Sequence, residues 1–360
     1  MLATLAASVS INFKQTTPFV IAGPCSAETR EQVLAVAEGI SGGHVHMMRA
    51  GVWKPRTKPG GFEGVGALAL PWLQEAKQMS GLPICIEVAT PQQIELALQH
   101  NIDCLWLGAR TTVSPFVVQE LAEVLRGTKL PIMVKNPVNP DVDLWQGAIE
   151  RLYACGIENI AAIHRGFSTY DKASKYRNKP MWSLPIELRR RMPDLPIICD
   201  PSHITGNREL VAMVSQRAMD LHFDGLMIET HINPEAAWSD AAQQITPAVL
   251  KELLSNLRLA KPDLASNDAQ LMLEDLRQQV DSLDAELVDI IARRMRIVQG
   301  IADVKKADNI SVYQPDRWQQ IINLRSAQGQ KLDLEEAFIL KLFEVIHDKS
   351  IRTQFKRMAE

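Results

Sequence analysis

Eight short apolar runs, separated by amphipathic stretches, constrain this chain more tightly than any other feature of its sequence. They are FVIAGPC (19–25), VHMMRA (45–50), PICIEV (83–88), CLWLGA (104–109), PIMVKN (131–136), IAAIHRG (160–166), PIICDPSH (196–203) and GLMIETH (225–231). Between them, TREQVLAVAEGI, TPQQIELALQH and NRELVAMVSQRAM repeat apolar residues at helical spacing. The first two open on a threonine suited to capping a helix N-terminus. Strands that are apolar on both faces belong in a parallel sheet covered by helices. Eight such units in about 250 residues is the length of a (β/α)8 TIM barrel, which is the expected fold. A doubly wound open sheet is the alternative.

The chain has 360 residues, 46% of them hydrophobic, and a formal net charge of −3. That is enough for a large core and a second domain. The near-neutral charge argues against a general nucleic-acid binder. No apolar run approaches the roughly 20 residues of a membrane span. The opening MLATLAASVSINFKQ lacks a basic segment, so it does not read as a signal peptide. Five cysteines, at 25, 85, 104, 155 and 199, show no CxxC spacing, as expected of a reduced, cytoplasmic protein.

A barrel carries its chemistry at the C-terminal ends of its strands. Those ends bear Cys25, Arg49, Glu87, Arg110, Lys135, Arg165, His203 and Glu229. One rim arginine is ordinarily a salt-bridge partner; a chargeable or metal-binding residue at every end asks for another reason. The stretch MMRAGVWKPRTKPGGFEG (47–64) adds Lys54, Arg56 and Lys58, in backbone that Pro and Gly keep from being helical. Arginine forks match phosphate and carboxylate oxygens. The mouth should therefore bind strongly anionic small molecules. Cys25, His203 and Glu229, with Asp240 just beyond the eighth run, offer a thiolate, an imidazole and two carboxylates. That set suits a divalent transition ion, although a single buried cysteine is more often a small hydrophobe.

GPCSAE (23–28), MRAGVWKPRT (48–57), GART (108–111), VKN (134–136), HRG (164–166), DPSH (200–203) and IETH…SD (228–240) occur in that order. Together they resemble the 3-deoxy-D-arabino-heptulosonate 7-phosphate synthases, over residues 15–260. These enzymes condense phosphoenolpyruvate with erythrose 4-phosphate and release phosphate. The resemblance is to the compact subtype, related to the synthase of an eight-carbon lipopolysaccharide sugar. It implies that Cys25, His203, Glu229 and Asp240 hold a divalent metal: Mn2+, or alternatively Co2+, Fe2+ or Zn2+. It implies that Arg110 and Arg165 hold the phosphate of phosphoenolpyruvate, and Arg49 its carboxylate, with Lys135 shared between the two. Lys54, Arg56 and Thr57 would bind erythrose 4-phosphate, Lys54 near its aldehyde end. The eight-carbon synthase usually reads closer to KANRS where this chain has KPRT. A barrel aldolase of another substrate is thereby disfavoured.

Composition shifts at KPDLASNDAQ (261–270), so the sequence divides into a barrel domain, 1–262, and a helical domain, 263–360. Apolar residues at 276, 280, 283, 287, 290, 291, 295, 298 and 301 then hold helical spacing without a breaker. That predicts one helix of nearly 40 residues, about 58 Å long, followed by shorter helices over about 314–327 and 333–357. So long an apolar stripe needs partner helices or a second subunit. Arg294 and Lys305 lie about three turns apart and point the same way, whereas Arg277 lies roughly 100° round. The tail, including DKSIRTQ (348–354), resembles the all-helical chorismate mutases. The resemblance implies a homodimer in which Arg277 serves the partner's site. It implies that Arg294 and Arg317 hold the carboxylates of chorismate, that Lys305 and Gln354 face its ether oxygen, and that Ser350 lies in the site. Two positions depart from the family: Trp318 stands where Glu is usual, and Gln314 where Asp is frequent. The domain would then be a mutase, or a weak one that binds prephenate and regulates the barrel.

Overall fold

The computed structural model describes residues 11–15, 17–54, 60–169, 174–259 and 267–359, with the backbone alone at 267–270. It divides into two compact units, Met1–Ala260 and Lys261–Glu360.

In the first unit eight parallel strands close into a barrel in chain order. They are β1 (Phe19–Gly23), β2 (Met47–Ala50), β3 (Ile84–Val88), β4 (Cys104–Leu107), β5 (Ile132–Lys135), β6 (Ile160–His164), β7 (Ile197–Cys199) and β8 (Gly225–Glu229). The register Gly23 to Glu229 between β1 and β8 completes the ring. Side chains alternate as the pleat demands. Ile21, Met47, Cys85, Trp106, Met133, Ile163 and Met227 fill the interior. Val20, Met48, Ile86, Leu105, Val134, Ala162 and Leu226 pack outward. Both faces are dry, which is why the runs read as continuously apolar.

The covering helices are α1 (Arg30–Ile40), α2 (Leu70–Ser80), α3 (Pro91–Gln99), α4 (Ala109–Thr112), α5 (Pro115–Leu125), α6 (Val142–Ala154), α7 (Ser183–Arg191), α8 (Pro201–Thr205), α9 (Val211–Asp220) and α10 (Pro247–Asn256). Thr29 and Thr90 cap α1 and α3, each accepting from a backbone N–H three residues on. The segment NRELVAMVSQRAM is helical only from Val211 after a single 3-10 turn, because Asn207 caps that turn first. At Gly23 the backbone is left-handed (φ +144°), and a Cβ there would lie 2.1 Å from the Arg49 carbonyl oxygen. Only glycine lets β1 approach β2 so closely just below the site.

His164, at the end of β6, faces outward into the rings of Trp145, Phe167, Trp182 and Phe223, whose centroids lie 5.2–6.4 Å away. Burial pushes this imidazole down to about 3. The unfolded chain, with an ordinary histidine near 6.5, therefore binds the extra proton first, and stability is lost as pH falls from that value toward 3. Between pH 7 and pH 5 this one group should cost about 2 kcal/mol. Urea unfolding of His164→Leu should show a pH slope shallower by that amount. Equal slopes in the two proteins would assign the acid sensitivity elsewhere.

The second unit is all-helical: α11 (Asn267–Ala307), α12 (Pro315–Gln330) and α13 (Glu336–Ala359). The long helix begins inside the polar stretch that marks the change of composition. The two shorter ones run two or three residues past their expected ends. α13 packs on both α11 and α12, burying Val298, Ala302 and Ile339. Much of the apolar stripe of α11 remains outside this small core: Leu276, Val280, Leu283, Leu287, Ile290, Ile297 and Ile301 are 44–66% exposed.

Candidate active sites

The C-terminal rim of the barrel gathers most of the residues singled out from sequence. Arg49, Glu87, Lys135 and Glu229 lie on strands; Cys25 and Arg165 follow β1 and β6 directly. Arg110 and His203 stand instead on the short helices α4 and α8. Each of these begins two residues after its strand ends, so the side chains stay at the rim.

Cys25, Glu229 and Asp240 present ligand atoms within 4.8 Å of one another. Cys25 Sγ is 3.3 Å from Asp240 Oδ2. His203 stands on α8 beside this group of three rather than within it, with Nε2 3.7 Å from Glu229 Oε1 and Nδ1 2.8 Å from Asp200 Oδ2. Glu229 Oε1 is buried and makes no hydrogen bond, although Arg49 Nη2 lies 3.1 Å away. A thiol, an imidazole and two carboxylates around an unsatisfied oxygen fit a divalent cation. Cations balance the set. Lys54 Nζ donates to Cys25 Sγ at 2.5 Å and lies 3.9 Å from Asp240. Arg177, which sequence reasoning missed, donates to Asp240 Oδ1 at 2.9 Å.

The electrostatics follow from this crowding. Burial, helped by the Glu229 charge, pushes the Cys25 thiol up to about 12. Burial would also raise Glu229, but His203, Arg49 and Lys54 outweigh it and hold the carboxyl below its ordinary range. Asp200 is held well below its own for the same reason, by His203 and Lys135. Burial lowers the His203 imidazole, against the opposing pull of Asp200 and Glu229.

A loop clamp sets Asp240. Ser26 Oγ is 2.6 Å from Ser239 Oγ. Gln244 accepts from the Cys25 N–H and donates to the Ser239 carbonyl. Glu28 accepts from the Trp238 N–H and faces His231 at 3.4 Å. The GPCSAE and IETH segments thus hold one loop between them.

Beside the cation set lie Arg49, Lys135 and Arg165, all buried. Lys135 donates to Asp200 at 2.8 Å. Arg165 donates to Asn178 at 2.9 Å. Burial lowers its guanidinium to about 10, and the charges of Arg177 and Arg110 push the same way. Like charges facing each other in a dry site favour an anion between them. Arg49 Nε and Nη1 have no hydrogen-bond partner. Arg56 and Thr57 lie outside the described residues.

In the helical unit several cationic and polar side chains stand on and around the packing of α11 against α13. Arg294 Nη1 donates to Ser350 Oγ at 2.6 Å. Lys305, mostly buried, donates to the Val312 carbonyl at 2.7 Å. Gln354 is buried, and its Oε1 has no hydrogen-bond partner. Arg317 and Arg277 are exposed. Trp318 stacks on His347 with centroids 4.1 Å apart.

Comparison with known proteins gives both units a family. Residues 7–264 match the DAHP synthetase I family, and residues 276–355 match chorismate mutase type II. The chain is 29% identical over 239 residues to the phospho-2-dehydro-3-deoxyheptonate aldolase of Thermotoga maritima, covering 66% of this chain and 68% of that one. It is 27% identical over 267 residues to a 2-dehydro-3-deoxyphosphooctonate aldolase of Methylobacterium radiotolerans, covering 67% and 90%. The crystal structure of the Thermotoga maritima aldolase, also called DAHP synthase, superposes with a TM-score of 0.62 at 28% identity, covering 70% of this chain and 72% of that one. A truncated form of 3-deoxy-D-arabino-heptulosonate 7-phosphate synthase from the same organism gives 0.60 at 25% identity, covering 70% and 89%. With residues 7–264 matched, most of the chain's length, this chain belongs to the DAHP synthetase I family, and it carries a chorismate mutase type II domain at its C-terminal end.

Proposed function

We propose that the barrel condenses phosphoenolpyruvate with erythrose 4-phosphate, and that the helical domain rearranges chorismate to prephenate. The observation that carries the first half is the buried cation cluster of Arg49, Lys135 and Arg165 beside the Cys25, His203, Glu229 and Asp240 set. Arg110 and Arg165 take the phosphate of phosphoenolpyruvate, and Arg49 its carboxylate through the donors that lack partners. Lys135 reaches both groups. Lys54, Arg56 and Thr57 take the second substrate.

A divalent ion held by Cys25, His203, Glu229 and Asp240, with Mn2+ the first choice and Co2+, Fe2+ or Zn2+ the alternatives, would polarise the aldehyde as a Lewis acid. The residues do the rest. They hold two polyanions with the nucleophilic carbon 3 against the aldehyde carbon, which is where effective-molarity gains arise. As the carbon–carbon bond forms, positive charge develops at carbon 2. Water adds there, and phosphate then leaves. Asp200 and Glu229 keep Lys135 and Arg49 aligned while the site is empty. Phosphate release that requires both substrates, measured on the full chain, tests this reading.

Trp318, stacked on His347, favours a second reading of the helical domain as a weak mutase that binds prephenate and restrains the barrel. Either way the domain needs a partner for its α11 stripe. We assign that role to a second copy, giving a homodimer through the helical domain with Arg277 reaching the partner's pocket. Light scattering at micromolar concentration should give twice the 40.2 kDa chain mass; a monomer would rule the dimer out. No helix among the described residues is long and apolar enough to cross a membrane. All five cysteines are free, in keeping with a cytoplasmic enzyme.

A further inference from the structure

The floor of the barrel site is an indole. Trp106, on β4, is fully buried among the interior residues Cys85, Cys104 and Met133. Its neighbours are apolar side chains that fill space without polar atoms. An indole there brings an N–H that must find a partner. It donates to Glu87 Oε2 at 3.0 Å. Glycine at 108 leaves Glu87 room for this rotamer: a Cβ there would lie 2.0 Å from Glu87 Oε1 and push the carboxylate aside. The ring plane is thereby fixed from one edge.

Both active-site cations then lie against that ring. The Arg49 guanidinium is 5.0 Å from its centroid, and Lys135 Nζ is 5.7 Å away. Each distance is within the roughly 6 Å over which a ring quadrupole attracts a cation, and the attraction is strongest in dry sites such as this. Both cations are at most 4% exposed. Arg49 keeps two donor nitrogens without a hydrogen bond, so hydrogen bonding alone does not fix its fork.

We infer that Trp106 is a positioning residue, whose ring holds Arg49 and Lys135 aimed at the carboxylate and phosphate of phosphoenolpyruvate. This rests on the assignment of those two cations to that substrate. Glu229 and Asp200 already hold Arg49 and Lys135 by charge, and the ring is a second support shared by both cations. Without it each cation could turn about its carboxylate, so the ring keeps both oriented before the substrate arrives, which lowers the cost of binding.

The test uses the metal-loaded full-length enzyme and three variants. Trp106→Leu fills the space without a π face and should raise KM for phosphoenolpyruvate about tenfold, with KM for erythrose 4-phosphate changing less than threefold. Trp106→Phe keeps a ring but loses the hydrogen bond to Glu87, and should hold KM for phosphoenolpyruvate within threefold of the parent. That rescue separates the ring from volume and from the hydrogen bond. Arg49→Lys is the reference and should raise the same KM. If the Leu and Phe variants behave alike, or both KM values rise together, Trp106 merely packs and the inference fails. If Arg49→Lys leaves KM for phosphoenolpyruvate unchanged, the assignment of Arg49 has failed and the inference goes with it. Should Trp106→Leu not fold, Trp106→Met takes its place, since its flexible thioether fills the same space without a ring.

Discussion

Replacing Cys25 with alanine should lower synthase activity more than a hundredfold and leave chorismate turnover unchanged. The size follows from the ligand's place. Changing residues that only orient a metal's ligands typically costs ten- to a hundredfold, and Cys25 would supply a ligand atom itself. In this chain the thiol lies 3.3 Å from Asp240 Oδ2 and is pushed up to about 12, chiefly by burial. No apolar reason calls for a thiol beside two carboxylates and an imidazole. Chelation of the parent enzyme should abolish phosphate release, and Mn2+ or a similar ion should restore it. Metal content after dialysis supplies a readout independent of turnover: the parent should retain about one ion per chain and Cys25→Ala far less. A stripped Cys25→Ala protein with full activity would falsify the ligand assignment. The ligand set lies on barrel residues, and a thermal melt like the parent's would report that the variant is folded.

The barrel was legible because its signal is periodic and redundant. Strands buried on both faces must be apolar throughout, and eight such runs leave few alternatives. The rim cluster was legible because a barrel gathers its strand ends at one mouth, although Arg110 and His203 stand on the short helices α4 and α8. What the sequence could not supply is register. Trp106 reads there as one more apolar residue between Leu105 and Leu107. Its relation to Arg49, two strands away, depends on how β2, β3 and β4 slide past one another. Asp200 was visible within DPSH, yet its role as the buried counter-ion of Lys135 spans 65 residues. Arg177 lay in a polar stretch between β6 and α7, where nothing in local pattern marks one cation above another. In the helical domain, spacing alone put Arg294 and Lys305 on one side of α11. That Ser350 of α13 would meet Arg294 required knowing which helices pack together.

Replacing Arg294 with alanine should reduce chorismate mutase activity by about two orders of magnitude while leaving the condensation reaction intact at saturating substrate. The rearrangement is unimolecular, so the protein contributes orientation and electrostatic complementarity rather than a general base. A carboxylate clamp fixes the substrate's reactive shape, and misplacing a substrate by about 1 Å can cost about 10² in rate. Arg294 is poised for that role. It is held by Ser350 at 2.6 Å, half-buried, with burial as the chief influence lowering its guanidinium below the ordinary value. Gln354, one turn beyond Ser350, keeps an unpartnered buried oxygen close by. The experiment also decides between the two readings of this domain. If the parent turns over chorismate and Arg294→Ala does not, the domain is a working mutase despite Trp318. If the parent is nearly inactive but binds prephenate, and Arg294→Ala abolishes that binding, the pocket is a sensor. In the sensor case prephenate should slow the synthase, with a coupling of about 1–3 kcal/mol, and phosphoenolpyruvate must change prephenate affinity by the same factor. A parent that neither turns over chorismate nor binds prephenate would overturn both readings and leave α11–α13 as a dimerisation module.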